Sequence, residues 1–377
     1  MSVSIVKVSR RKDLRKFIDF PKNLYRDNPC WVPPLRADEF KTFNPRRNGA
    51  YEYCEAECFL AYRGKRIVGR VAAIINNRAN GIWGEKTVRF GWFDLIDDQE
   101  VCDCLLNAVA QWGLERGCST VKGPLGFTDM DKEGSLVEGY DVLCPFTCLY
   151  NYPYYDARIK ASGFAKDTDW TQKEFEVSNE LPSVFKFNRI VESRYGLHVP
   201  RLRHLGKEWK YYGMEIFRMY NHAFAPLYEV SPLSERQMSD YINSYIPIVN
   251  PDYIILCLDR DGKPVGFIFC VPTLSKAIQK SGGRLFPSGI FRIYHALRHN
   301  DTLEALIMGV LPEYQGRGAV SLMIERLHEN CIRNGIRRII MNPQLESNTK
   351  VQTLFTDYNP TTLLRRRCYT RNISTQK

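Results

Sequence analysis

The sequence predicts a mixed α/β (α+β) protein built from two tandem, similar domains, each a mixed twisted sheet flanked by helices. Three observations predict this. A strand–turn–strand hairpin occurs twice. A unit of strand, loop and amphipathic helix, with the same spacing both times, follows each hairpin. The length of 377 residues, with 44% apolar and 25% charged composition, suits two ordinary globular domains and argues against disorder or coiled coil.

The first hairpin runs over Phe59–Ile75 with its turn at Gly64, and the second over Tyr253–Val271 with its turn at Asp261–Gly262. Each carries a Val-Gly step, Val68–Gly69 and Val265–Gly266. In the next unit Gly91 and Gly117 are 26 positions apart, as are Gly309 and Gly335. The first helix gathers Val101, Leu105, Ala108, Val109 and Trp112 on one face. The second gathers Val320, Met323, Ile324, Leu327 and Cys331. A glycine stops each helix, and a strand follows each, Ser119–Leu125 and Arg337–Asn342. The halves differ by inserts, Gly123–Pro145 in the first and Gly282–Asn300 in the second. The boundary falls within residues 175–200 and is drawn at 180, giving domains 1–180 and 181–377.

Several classes are excluded. No run of 18 apolar residues exists, so no transmembrane helix is expected. The opening MSVSIVKVSRRKDLRK has no apolar core of a secretory signal. None of the 12 cysteines forms a CxxC, so reduced, buried thiols of a cytoplasmic protein are expected, and no metal. His295 and His299 are one helical turn apart without a ligand partner nearby. Lys and Arg number 53 against 42 Asp and Glu, a surplus of +11 that favours anionic partners. Nucleic acid is not expected among them, because no zinc finger, RNP signature or basic recognition helix is visible. The arginines of Leu363–Thr370 belong to a predicted last strand, with Arg366 opposite its neighbours.

The chemistry concentrates in Val310–Ala319. A strand ends at Val310, and a loop with Gln315, Gly316, Arg317 and Gly318 leads into a helix at Ala319. Glycines let the backbone approach a diphosphate, and free amides at a helix N-terminus point at the anion. The plainer alternative is an ordinary strand–helix turn.

With its hairpin, motif strand, helix and following strand in order, this half resembles the GNAT superfamily of acyl-CoA N-acyltransferases. Their cofactor loop, Q/R-x-x-G-x-G/A, is matched by Gln315, Gly316, Arg317 and Gly318, with Val320 standing where Gly or Ala is usual. The resemblance implies acyl-CoA as co-substrate, held by Val310, Gln315, Gly316, Arg317, Gly318, Ala319 and Asn348. Asn348 matches the asparagine that opens the family's final helix. Phe355 falls where many members carry a tyrosine that protonates the leaving thiolate, and Tyr358 is the substitute. Glu304 is the candidate base for the attacking amine, because members often place a carboxylate there; a surface charge at a strand start is the alternative. The backbone amide near Val310 polarises the thioester oxygen.

The first half repeats the pattern without the loop. Asp97, Asp98 and Glu100 replace Gln315, Gly316 and Gly318, and carboxylates repel a diphosphate. One cofactor site is therefore expected, in domain 181–377, with 1–180 a degenerate GNAT-like domain. Over its whole length the chain resembles the tandem-GNAT group of bacterial ceramide synthases, through Asp27–Leu35, Val68–Arg70, Gly123–Asp141, Tyr150–Trp170 and Gly309–Ala319. These acylate the amine of a long-chain base using a fatty acyl-CoA.

Asp129, Asp131 and Glu133 form a candidate site for an ammonium-bearing acceptor, with a solvated loop as the alternative. Tyr154, in the set Tyr150, Tyr152, Tyr154 and Tyr155, is a candidate lining residue of the acceptor cleft, with interdomain packing as the alternative. In the insert, a helix after Pro287 would present Ile290, Phe291, Ile293, Tyr294 and Leu297 between Arg292 and Arg298. It lies on an anionic membrane or caps an acyl chain, or else packs on its own domain. The expected location is cytoplasmic, with contact to the inner membrane face through Gly282–Asn300.

Overall fold

The computed structural model describes residues 1–202, 209–245 and 249–373. In chain order the first half holds β1 (Val3–Lys7), α1 (Arg11–Leu24), α2 (Arg36–Thr42), β2 (Cys54–Arg63), β3 (Arg66–Asn76) and α3 (Asn77–Trp83). It continues with β4 (Thr87–Leu95), α4 (Gln99–Leu114), β5 (Thr120–Gly123), β6 (Ser135–Glu138), α5 (Tyr154–Ala161) and β7 (Ala165–Glu176). Then come α6 (Asn188–Tyr195), α7 (Trp209–Ala223), α8 (Glu235–Tyr245), β8 (Ile254–Leu258), β9 (Pro264–Pro272), α9 (Ser275–Lys280) and α10 (Gly289–Arg298). The chain closes with β10 (Thr302–Val310), α11 (Ala319–Asn334), β11 (Arg338–Met341), β12 (Gln344–Leu345), α12 (Thr349–Thr353) and β13 (Thr361–Asn372).

Both hairpins and both strand–helix units form where the periodicity put them. α4 and α11 each bury one stripe, including Val101, Leu105 and Val109 in the first and Met323, Leu327 and Cys331 in the second. Each stripe covers its own half of the sheet, which gives two principal cores.

The strands do not divide as the chain does. They form one sheet in the order β1-β2-β3-β4-β5-β13-β7-β11-β10-β9-β8. β4 and β5 run parallel, as do β10 and β11. β13, from the second half, pairs with β5, while β7, from the first half, pairs with β11. Each half thus receives its closing strand from the other, and the two exchanged strands pair antiparallel at the centre. Arg367 pins that seam with two bonds to buried Asp169, at 2.8 and 3.0 Å. Burial alone would raise the Asp169 pKa; Arg367 and Lys166 outweigh it and hold the carboxyl below the usual range. Arg366 points the opposite way into the interior, as alternation requires.

Candidate active site

The site is built where β10 leaves β11. The two strands pair in register only from Thr302↔Arg338 to Ala305↔Met341. A bulge between Ala305 and Ile307 then turns β10 aside, while it stays paired with β9 as far as Val310↔Gly266. A V-shaped gap opens along Leu306–Val310. Leu311 donates to Val265 on the β9 side at 2.9 Å. The alternation of an antiparallel ladder therefore turns the amides of Val310 and Met308 away from β9, into the gap.

At the mouth of this gap lies the loop into α11. Gly316 and Gly318 have φ of +72° and +81°, which favours glycine at both. The Gln315 side chain folds back to donate to Val310 O at 3.3 Å, and the Arg317 guanidinium lies 5.3 Å from the Tyr314 ring centroid. Arg317 N–H reaches Tyr314 O at 3.4 Å, and the first helical bond is Leu322 N–H to Gly318 O. Among the described residues, the amides of Gly316, Gly318, Ala319, Val320 and Ser321 have no protein acceptor. This is a cradle of donors with the positive helix end behind it. Gly316 has open space where a Cβ would be, whereas at Gly318 a Cβ would meet Val191 of α6 at 2.5 Å.

The corresponding corner of the first half is closed in three ways. Leu125 donates to Phe90 O at 2.8 Å, so β4 and its partner segment stay joined beyond β5. The backbone of Leu95 at the end of β4 is taken up by hydroxyls: its N–H donates to Tyr155 and its carbonyl accepts from Tyr154, at 3.0 and 2.7 Å. Asp98 caps α4 by accepting from Val101 N–H, and Arg63 bonds both Asp98 and Glu100 at 2.6 and 2.5 Å. Asp97 pairs with Arg158. Asp98 thus takes up an amide at the N-terminus of α4, while Asp97 and Glu100 are held by arginines.

Glu304 lies at the closed end of the V, 2% exposed, so the alternative of a surface charge does not hold. Its Oε1 accepts from Thr273 at 2.5 Å and Ser275 at 3.4 Å, and Oε2 from Thr147 at 3.0 Å. Burial lifts its pKa and the three hydroxyls pull it part of the way back. Four positions of strand, roughly 13 Å, separate it from Met308, and Thr273 and Ser275 hold it from the side away from the gap.

Asp129, Asp131 and Glu133 do not form a solvated loop. The segment folds against the second half, where the Asp129 carboxylate accepts from the Tyr220 hydroxyl. Tyr220 stacks on Phe224 at 4.5 Å, and the Phe224 ring comes within 3.4 Å of where a Gly309 Cβ would be. The first half therefore delivers the Asp129 carboxylate to the tyrosine that packs beside β10, while Asp131 accepts from Thr128 N–H within its own loop. Burial raises both Asp129 and Asp131 to about 6, and raises Glu133 well above the usual range. Asp129 Oδ1 and Glu133 Oε1 are buried without a hydrogen-bond partner.

Two expected residues lie apart from the gap. Tyr154 opens α5 and helps to close the corner of the first half, so the tyrosine set is packing around Tyr25 and Leu95 and not a cleft wall beside β10. The Tyr358 hydroxyl is 2.8 Å from His328 Nδ1, with His328 Nε2 2.8 Å from Ser178 O. Tyr358 also packs on Phe175, which stacks on Phe355, and burial raises its pKa. Asn348 caps α12 by accepting from Val351 N–H at 3.4 Å. Sequence reasoning did not find Thr147, Thr273, Ser275, Tyr220 or Phe224. They are scattered in the chain and meet only through the fold. A basin of about 370 Å³ around Arg201, Asn250 and Asp252 lies at the other end of α11, where Arg333 pairs with Asp252.

Comparison with known proteins agrees with this geometry. Residues 214–357 match the model of the Acetyltransferase (GNAT) family. The chain is 27% identical over 373 residues to Protein YghO of Escherichia coli (strain K12), covering 96% of this chain and 94% of that one. It is 25% identical over 360 residues to the bacterial ceramide synthase of Caulobacter vibrioides, covering 92% and 91%. Among solved structures it is similar to a tandem GNAT protein from the clavulanic acid biosynthesis pathway. That match has a TM-score of 0.57 at 12% identity and covers 100% of both chains. The half that keeps the open strand gap and amide cradle is the half that matches the Acetyltransferase (GNAT) family model, and the whole chain shares the fold of a tandem GNAT protein.

Proposed function

We propose that the protein is an acyl-CoA-dependent N-acyltransferase that moves a fatty acyl group from acyl-CoA to the amine of a lipid or sphingoid-type base by direct attack. The observation that carries this reading is the splayed β10–β11 gap with free amides at its mouth, set against a stoppered counterpart. Similarity to a bacterial ceramide synthase over 92% of the chain supports the long-chain amine as acceptor.

In this reading the diphosphate sits on the amides of Gly316 and Gly318–Ser321 beside Arg317. The thioester lies in the gap, its oxygen accepting from the Met308 or Val310 amide. The neutral amine attacks the carbonyl carbon, a C–N bond forms, and the C–S bond breaks. The amine proton passes to Glu304, relayed by water across the roughly 13 Å of strand between them. The thiolate leaves and takes up a proton from water. Asp129 and Glu133 draw in the acceptor as an ammonium, and burial makes them able to take its proton.

The test is thiol release and product mass with palmitoyl-CoA and with acetyl-CoA, each against sphinganine and polyamines. Palmitoyl transfer to sphinganine is expected. Turnover confined to acetyl-CoA and polyamines would replace this reading with a small-amine acetyltransferase, and no thiol release with any pair would refute it. Glu304→Gln should keep the hydroxyl contacts and lower kcat by roughly 10²–10⁴-fold, with loss of the acid limb of the pH profile.

A further inference from the structure

We propose that the α9–α10 hairpin is a docking face for an anionic phospholipid surface. Its inner side is firmly seated. Leu274, Ala277, Ile278 and Ile293 are buried in a cluster with Tyr25, Val32 and Tyr150 of the first half. Gln279 donates to Pro29 O and Trp31 O at 2.8 and 2.9 Å. The outer side is apolar and open to solvent: Phe286 is 76% exposed, Phe291 74%, Tyr294 53% and Ile290 44%. Four large apolar side chains exposed together on one short, anchored unit mark an interaction surface.

The charge around them names the partner. Residues 273–300 contain Lys276, Lys280, Arg284, Arg292 and Arg298 and no Asp or Glu. All five are exposed, and among the described residues none makes an ion pair. Arg298 lies over the Tyr294 ring at 4.3 Å, so charge and aromatic face the same water. Apolar side chains inside a basic rim match headgroup phosphates above an acyl layer. A second copy of this chain matches poorly, because pairing like faces would set the same arginines against each other.

The placement deepens the lipid-acceptor reading on which its purpose rests. Thr273 and Ser275, at the root of α9, hold Glu304, while the amide cradle lies at the opposite end of β10. Donor and membrane-borne acceptor would thus approach from opposite ends of one strand.

Docking is measured without turnover, so it can fail or succeed apart from the transferase reading. Sedimentation of the full chain with vesicles of equal parts phosphatidylglycerol and phosphatidylcholine should pull it down, and phosphatidylcholine alone should not. Each basic side chain at such a surface strengthens binding about fivefold (~1 kcal/mol). Arg284→Glu with Arg298→Glu should therefore weaken partitioning by at least about 25-fold. Phe286→Ser with Phe291→Ser should abolish it while thermal stability and activity on a water-soluble amine persist. Phe291→Trp should be quenched by brominated acyl chains. A wild-type chain that stays in the supernatant with anionic vesicles would overturn the proposal. So would self-association without lipid that Phe291→Ser abolishes.

Discussion

Replacing Gly318 by alanine tests the cofactor loop at its tightest point. Gly318 has φ of +81°, where an L-residue costs roughly 1–2 kcal/mol. The new Cβ would also stand 2.5 Å from Val191 Cγ1, and relieving such overpacking costs about 1–3 kcal/mol. The loop relieves both by turning its amides out of line, so the loss appears in CoA affinity. At about 1.4 kcal/mol per tenfold, the fall is at least roughly 30-fold. Gly316→Ala supplies the control. Its φ is +72°, but no atom lies within 4 Å of the new Cβ, so only the backbone share remains, about fivefold to thirtyfold. Adding Val191→Ala to Gly318→Ala should restore the steric share, recovering roughly tenfold. Calorimetric titration with CoA, beside thermal melts of each variant, reads all three. A Gly318→Ala protein that binds CoA within about twofold of wild type, or a Val191→Ala addition with no effect, would refute the cradle.

Other expectations follow from the same structure. Calorimetry on the wild type should give one CoA per chain, and Asp98→Gly with Glu100→Gly should not add a second, because the Leu125–Phe90 bond still closes that corner. Asp129 is raised to about 6 by burial. A carboxyl with a raised folded-state pKa holds its proton more tightly than in the unfolded chain. Its stabilising share is full below the unfolded value near 3.9 and is lost as pH rises through about 6. Asp129→Asn should therefore flatten that part of the stability–pH curve and gain on the order of 3 kcal/mol over wild type at pH 8, read by denaturant melts; an unchanged slope between pH 4 and 7 would count against the buried site. Arg367→Ala leaves Asp169 buried with weaker partners and should cost about 3 kcal/mol, seen as a lower denaturation midpoint.

Much of this was legible because local rules and the fold agree. The hairpins and the two strand–helix units follow from periodicity with glycine stops, the α10 helix follows from its apolar residues after Pro287, and α4 and α11 bury the stripes their spacing sets. The cradle was legible because it is contiguous in sequence. Glu304 was legible only as a position: its burial depends on Thr147, which lies 157 residues away. The Asp129 loop reads as solvent-facing from its composition, yet Tyr220 and the second half cover it. The strand exchange is illegible, since β7 and β13 carry the same alternation whichever neighbour they take. Tyr154 misleads for a related reason: tyrosines lining a cleft and tyrosines plugging one look alike until the hydroxyl partners are known.

The crossing of β7 and β13 makes the order of synthesis matter. As the polypeptide leaves the ribosome, the amino-terminal unit emerges early but waits for Thr361–Asn372 before β5 gains its outer neighbour. A stop codon before Thr361 would spare every residue of the cradle and still strip a rail from the unit whose own corner is closed. Neither lobe can then be trimmed, transplanted or inherited separately without a ragged edge, and the lobe with the stoppered corner is an indispensable half of the scaffold.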